Sequence, residues 1–383
     1  MNILFISEYF YPRLAGGELV SWMILNGLVM KGHKIRVVTG RMPDTAEYEN
    51  INGIEIFRPF SSYNLTDKKD LASGNAMIKR ISFLFRLYSY LNKFLTSYPV
   101  DIVYSSGYIS ALPASWSASK NHIPAVNSIH SLCGKIWFQL TNPFLATFNY
   151  LGEIFIIRLG KYDALHCPSA KVAQMIKPHT SAKIFTIPYP LDFDDITRVK
   201  EDIDSELIRK NLEIKREEQF LLFVGSLIKV KNIDGLIRAL SSLKTNFKLV
   251  LIGEGPERQK IENLSNELGL EDRLIMPGQK SHKETLSIIK SCDVFILPSK
   301  SETFSNVALE ALALGKPVIA TRVGILPEIK SENLYLIDSL EEINSLLAKG
   351  IAPKENNRAL EDYSMDKVIS RYLSMFEEVL KVS

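Results

Sequence analysis

At 383 residues, with 46% hydrophobic and 23% charged residues and a formal net charge of +3, the chain is too long for one core and suits two globular domains of ordinary size. Its 46 basic residues are spread along the sequence and offset by 43 acidic ones, which gives no argument for nucleic acid as a partner. Three cysteines, Cys133, Cys167 and Cys292, lie far apart with no CxxC pair or metal-type spacing, and this points to a reducing compartment and away from structural zinc.

The opening stretch MNILFISEYF is expected to be a first strand and not a signal peptide, since it lacks a basic start and a cleavage region. Strand-like and helix-like patterns then alternate twice over, which predicts an α/β protein with two doubly wound parallel sheets. In the first half, strands are expected at 3–7, 35–39, 101–104, 124–128, 164–167 and 183–187. From 192 to about 218 the chain turns charged and irregular, and reads as an interdomain linker with a short helix. A second series follows at 220–224, 248–252, 274–276, 293–297, 317–320 and 334–336. Residues 365–382 are amphipathic and helical, and no short repeat is visible. The longest uncharged runs contain Asn, Gln, Pro, Gly and Ser, so none reads as a transmembrane helix.

Open α/β sheets bind ligands beyond the carboxyl ends of their strands. Strand 3–7 leads through EYFYPRLAGG into a helix, where Gly16 and Gly17 would let the backbone approach a ligand or simply form a turn. In AMIKRISFLFRLYSYLNKFL, Lys79, Ser82, Arg86, Ser89 and Lys93 share one helical stripe beside a wide apolar face. Two readings stand for residues 78–95: a core helix with a narrow wet edge, or a basic, aromatic-rich surface lying on anionic lipid. His130 follows strand 124–128, as a satisfied loop residue or as a polar contact to a ligand. Asp192 and Asp194 form an Asp-x-Asp pair within the charged stretch and are expected to be solvated. After strand 220–224 comes VGSLIKVKN, with Ser226, Lys229 and Lys231. Gly253 and Gly255 in LIGEGPER lack the full dinucleotide fingerprint and read as a turn lining a nucleotide cleft. No cluster has the spacing of a metal site, so neither metal nor cofactor is expected.

The most informative stretch is CDVFILPSKSETFSNVALEALALGKPVIATRVGILPEI, residues 292–329. Residues 293–297 read as a buried strand, 298–303 as a polar loop and 304–314 as an apolar helix. The amides of Phe304, Ser305, Asn306 and Val307 would then be unpaired at the helix start, and together with the helix dipole they favour a diphosphate. Glu302 and Glu310 bracket this anion site. Carboxylates beside a phosphate make sense if they point away from it, towards hydroxyl-rich groups at either end of the ligand. A nucleotide sugar, laid out as sugar, diphosphate and ribose, has that form.

This stretch, with Gly315, Pro317 and Gly324 in register, resembles the donor-binding motif of the retaining glycosyltransferases of the GT-B fold, family 4 type, whose members carry two glutamates separated by seven residues. The resemblance implies that Glu302 contacts the transferred sugar and Glu310 the ribose hydroxyls. It places a glycine amide of the Gly16–Gly17 pair at the donor phosphates, His130 near the donor sugar and Gln279, in PGQK, at the base. A lysine matching Lys231 meets the diphosphate together with an arginine in the family, but here Ser226 stands in the arginine's place. Lys229 or Arg322 could supply the missing charge. Glu302, His130 and Lys231 are thus the implied catalytic residues.

The resemblance further implies two Rossmann-like domains facing a cleft, an acceptor-binding one at 1–190 and a nucleotide-sugar-binding one at 191–365, with helix 366–383 packing back on the first. The implied protein is a cytoplasmic, metal-independent glycosyltransferase of hexosyltransferase type. It would take a nucleotide-sugar donor and a saccharide or lipid-linked acceptor, and would touch the inner face of the membrane if the lipid reading of 78–95 holds. A GT-B epimerase or hydrolase, and a non-catalytic nucleotide-sugar-binding protein, share the same features.

Overall fold

The computed structural model describes residues 1–13, 16–61, 74–107, 109–130, 132, 134–140, 142–354 and 358–382, with the side chains at 74–81, 139, 140, 358 and 359 outside that description. The chain forms two compact units, one from Met1–Pro190 with Met365–Ser383, the other from Leu191–Ser364.

In the first unit, strands β1 (Asn2–Ile6), β2 (Lys34–Arg41), β3 (Tyr48–Ile51), β4 (Ile54–Ser61), β5 (Ile102–Ser106), β6 (Ala125–Ser128), β7 (Ala164–Cys167) and β8 (Lys183–Thr186) form a sheet in the order β3-β4-β2-β1-β5-β6-β7-β8. All neighbours are parallel except β3 and β4. That hairpin turns at Asn52 and Gly53, both at positive φ (53° and 82°), the backbone that an Asn-Gly pair adopts most readily. The inner strands are continuous apolar runs because helices cover both faces of the sheet. These helices are α1 (Gly17–Met30), α2 (Gly74–Ser97), α3 (Ala111–Lys120), α4 (Trp137–Leu140), α5 (Pro143–Leu159) and α6 (Ala170–Ile176).

Helix α2 decides between the two readings of 78–95. Phe83, Leu87, Leu91, Phe94 and Leu95 are buried in one cluster with Leu4, Ile6, Val38 and Val103, so the wide apolar face is occupied by the core. Ser82, Phe85, Arg86, Ser89 and Lys93 are exposed, and the Arg86 guanidinium lies 4.8 Å above the Phe60 ring. The Lys79 side chain falls outside the described residues.

In the second unit, two helices, α7 (Phe193–Asp202) and α8 (Ser205–Asn211), stand where a linker with one short helix is expected. Asp192, expected to be solvated, instead caps α7 by accepting from the Asp195 amide at 2.9 Å, whereas Asp194 is exposed in the first turn; Asp204 caps α8 by accepting from the Glu206 amide at 2.9 Å. Ile196 and Val199 face inward. A parallel sheet follows in the order β11-β10-β9-β12-β13-β14, made of β9 (Gln219–Val224), β10 (Phe247–Ile252), β11 (Leu274–Gly278), β12 (Val294–Leu297), β13 (Val318–Thr321) and β14 (Leu334–Ile337). Between the strands run α9 (Ile233–Leu240), α10 (Arg258–Glu267), α11 (His282–Ser291), α12 (Asn306–Ala313) and, after the last, α13 (Glu342–Lys349).

Helix α14 (Met365–Val382) belongs to the first unit. Val368, Ile369, Tyr372, Met375, Phe376 and Val379 repeat at helical spacing and are buried, with the Tyr372 and Phe376 rings against Tyr104. Gly27 of α1 makes the crossing close, since a Cβ there would lie 2.6 Å from Ile369 Cγ1. Ion pairs Lys31–Asp366, at 2.9 Å, and Lys183–Glu378 flank the contact.

Candidate active site

Strand order reverses in the second unit at β9, whose neighbours are β10 and β12, and ligands of open α/β sheets sit beyond the carboxyl ends of strands at such a point. Two loops meet there. Lys300 donates its amide to the Val230 carbonyl at 2.8 Å, and Asn232, in the left-handed region at φ 58°, donates through Nδ2 to Pro298 O at 3.2 Å. This stitching brings Lys231 Nζ to 2.6 Å from Glu302 Oε1, and Ser299 Oγ donates to the same oxygen at 2.7 Å. Only 12% of the Glu302 side chain and 20% of the Lys231 side chain are exposed, so the pair is largely withdrawn from solvent.

Helix α12 starts at Asn306, two residues later than expected, because Ser305 sits in the left-handed region at φ 92° and breaks the helical run. The Phe304 carbonyl is drawn out of the helix to accept from the Ile325 amide at 3.0 Å. Gly324, at φ 58°, permits that turn: a Cβ there would stand 2.4 Å from Phe304 O. The amides left without a partner inside the helix are therefore those of Asn306, Val307 and Ala308, while Phe304 and Ser305, counted with them in the sequence, precede the helix. Beside them Ser305 Oγ and Asn306 Oδ1 are buried without a hydrogen bond.

One turn on, Glu310 Oε1 lies 3.0 Å from His282 Nε2. His282 opens α11 just after a capping box formed by Ser281 and Glu284. The Glu310 hydrogen bond holds the imidazole above its ordinary range against partial burial, with Asp195 and Asp192 adding to the effect. Sequence reasoning passed over His282, which is 28 residues from Glu310 and carries no motif. Gly225, Gly253 and Gly255 let the β9 and β10 loops press backbone on backbone, since a Cβ on Gly253 would meet Gly225 O at 2.1 Å.

Ser226 is exposed on the turn after β9, Lys229 is exposed two residues before Lys231, and Arg322 is bonded to Asp338 at 2.8 Å. Gln279 is exposed just beyond β11.

In the first unit the order reverses at β1, between β2 and β5. A cavity of about 250 Å³ opens at the carboxyl ends of β1, β5 and β6, with Glu8, Gly17, Glu18, Asn127 and His130 among its lining. Glu8 Oε1 accepts from the amides of Ile109 at 2.6 Å and Ser110 at 3.3 Å, which ties it to the start of α3. Burial pushes the Glu18 carboxyl up, against the pull of Arg13 at 3.9 Å. Gly17 lies alongside His130, where a Cβ would stand in ordinary van der Waals contact with that side chain at 3.6 Å. Gly16 reaches φ 54° in the turn before α1. His130 Nδ1 pairs with Tyr189 OH at 2.6 Å while Nε2 is buried without a partner. Burial, reinforced by His166, pushes the His130 pKa down to about 3 and keeps the ring neutral. Glu8, just past β1, and Glu18, in the first turn of α1, carry no sequence signal of their own; the fold alone brings them to this cavity.

Comparison with known proteins agrees in both halves. The family model described as Glycosyl transferases group 1 matches residues 204–365, and that of Glycosyltransferase Family 4 matches 14–195. The chain is 30% identical over 353 residues to the glycosyltransferase MJ1607 of Methanocaldococcus jannaschii, covering 86% of this chain and 82% of that protein. It is 24% identical over 343 residues to the alpha-monoglucosyldiacylglycerol synthase of Streptococcus pneumoniae, covering 88% and 74% respectively. Among solved structures, HepE of Anabaena in complex with UDP-glucose superposes with a TM-score of 0.72 at 16% identity, over 99% of this chain and 100% of that one.

Proposed function

Because this chain belongs to the group 1 glycosyltransferases, we propose that it retains anomeric configuration while moving a sugar from a nucleoside-diphosphate sugar to a hydroxyl of a glycan or lipid-linked saccharide. The observation that carries this reading is the Lys231–Glu302 pair, 2.6 Å apart, beside the open amides of α12. Lys231 and those amides offer positive charge to a leaving diphosphate without a metal ion, and Glu302 offers hydrogen-bond acceptors to sugar hydroxyls. Glu310, one turn along α12, is suited to a ribose diol. The acceptor oxygen attacks the anomeric carbon on the face from which the diphosphate departs. Its proton passes to a phosphate oxygen of the leaving group as the old C–O bond breaks.

The cavity of the first unit suits the acceptor. Two carboxylates, Glu8 and Glu18, and a neutral His130 line it, and no lysine or arginine does among the described residues. Such a lining receives hydroxyls, those of the acceptor and, at His130, those of the donor sugar. A nucleotide-sugar panel, scored by calorimetric binding and slow hydrolysis, identifies the donor, and NMR of the transfer product reads its anomeric configuration. Retained configuration and activity in EDTA are expected. An inverted product, or activity abolished by EDTA and restored by a divalent ion, would sink the proposal.

A further inference from the structure

Among the described residues, the surface of α5 is built unlike that of any other helix in the first unit. Phe144 (85% exposed), Phe148 (56%), Leu151 (55%), Phe155 (57%) and Leu159 (43%) follow one another at spacings of four, three, four and four residues, so they form one stripe along one face. Leu145 widens the stripe at its start, Phe138 packs beside it against Tyr150, and Trp116 extends it by donating Nε1 to Leu159 O at 3.0 Å. A contiguous apolar surface of this kind marks an interaction site.

Charge decides what covers it. Residues 134–161 contain four charged side chains. Lys135, Arg158 and Lys161 are exposed, while the one acid, Glu153, is buried with Oε2 accepting from Gly134 N at 2.8 Å and Oε1 from Trp137 Nε1 at 3.0 Å. A two-fold contact with a second copy would set this cationic patch against itself with no exposed acid on the segment to answer it. An anionic lipid surface answers both features, since phenylalanines enter the acyl boundary while lysines and arginine stay among the headgroups. No helix among the described residues is long and apolar enough to cross a membrane, so α5 would lie flat.

We propose that α5 docks the protein on an anionic lipid bilayer through the Phe144–Phe148–Leu151–Phe155–Leu159 stripe and its flanking cations. The opposite side of the same helix contributes Ile156 and Ile157 to the cavity of the first unit. A lipid-linked acceptor could therefore keep its anchor in the bilayer while its hydroxyl enters the cavity, a consequence that rests on the function proposed above; the lipid contact itself does not.

Co-sedimentation of the full chain with vesicles of phosphatidylglycerol and phosphatidylcholine, against phosphatidylcholine alone, tests this. The wild type should sediment with the anionic vesicles, and Phe148→Ser with Phe155→Ser should lower partitioning at least tenfold. Lys135→Ala with Lys161→Ala should lower it several-fold and flatten its salt dependence. Nucleotide binding, measured on the same samples, should be unchanged. Wild-type protein that ignores anionic vesicles, or a serine variant that binds them equally well, would overturn the proposal. So would a wild-type dimer in analytical ultracentrifugation that the serine variant dissolves while neither binds vesicles. Vesicle binding without any nucleotide binding would refute the catalytic reading and leave this one standing.

Discussion

Replacing Glu302 by Gln separates two roles that one hydrogen bond joins. In the free protein Lys231 Nζ is held 2.6 Å from Glu302 Oε1, so a diphosphate must compete with a carboxylate for its cation. A hydrogen bond to a charged group contributes roughly 1.5–3 kcal/mol. Part of that is recovered when the diphosphate takes over Lys231, so Glu302→Gln should leave nucleoside diphosphate affinity unchanged or raise it by up to about tenfold, roughly 1.4 kcal/mol. Turnover should behave oppositely. Losing the carboxylate that steadies the sugar in the transition state should cost about 3–4 kcal/mol, a few powers of ten in rate at saturating donor. Lys231→Met completes the test by weakening diphosphate binding about tenfold to a hundredfold, since it removes the cation outright. Titration calorimetry with the free nucleoside diphosphate and steady-state turnover with the sugar donor read the two quantities separately. Diphosphate binding weakened more than tenfold by Glu302→Gln, turnover within a factor of three of the wild type, or a sugar trapped covalently on Glu302 would each refute the assignment.

Glu310→Gln should mainly weaken donor binding and spare turnover at saturating donor, because ribose contacts are alike in ground and transition states; a larger fall in saturated turnover than Glu302→Gln causes would reverse the two roles. The Glu310 hydrogen bond raises the His282 pKa above its ordinary 6.5, so the pair stabilises the fold fully below that value and the contribution fades as pH rises through the folded pKa. Urea denaturation across pH 6 to 9 should therefore fall less steeply for His282→Ala than for the wild type. Ser226→Arg should tighten nucleoside diphosphate binding by a charge-assisted contact of roughly 1–3 kcal/mol, and no tightening would mean that this turn does not face the phosphates. Gly27→Val should destabilise the protein by about 1–3 kcal/mol through overpacking against Ile369, seen as a lower denaturation midpoint and faster proteolysis near α14.

Strands and the loop at Glu302 were legible in the sequence because each is a local pattern: uninterrupted apolar runs for β9, β10 and β12, and a strand, polar loop and apolar helix around Glu302. Asn52–Gly53 carries a hairpin signal too, but β3 before it is four residues long and its sequence, YENI, shows no alternation of apolar and polar residues. The charged stretch after residue 191 misled because Asp192, Asp194 and Asp195 look like linker composition, whereas only the spacing of Ile196 and Val199 betrays a helix. Periodicity marked 78–95 as a wide apolar face but could not tell whether anything covers it. The sheet covers that face and leaves the stripe on α5 bare. Lys231 and Glu302 stand 71 residues apart, and their 2.6 Å contact depends on the loops of two neighbouring strands, which no local pattern encodes.

The placement of α14 has a practical consequence for dissecting the protein. Residues 191–364 enter and leave the second unit at adjacent points, where the Leu191 amide donates to Tyr363 O at 2.8 Å and Leu191 bridges to Ser364. That unit is therefore a continuous insert whose ends are already closed together, and it can be cut out as one fragment. The first unit cannot be recovered by stopping the chain at residue 190, because such a fragment lacks Tyr372 and Phe376 and bares Tyr104 and the Gly27 side of α1. Joining residue 190 to 365 through a short linker would be the fragment that folds.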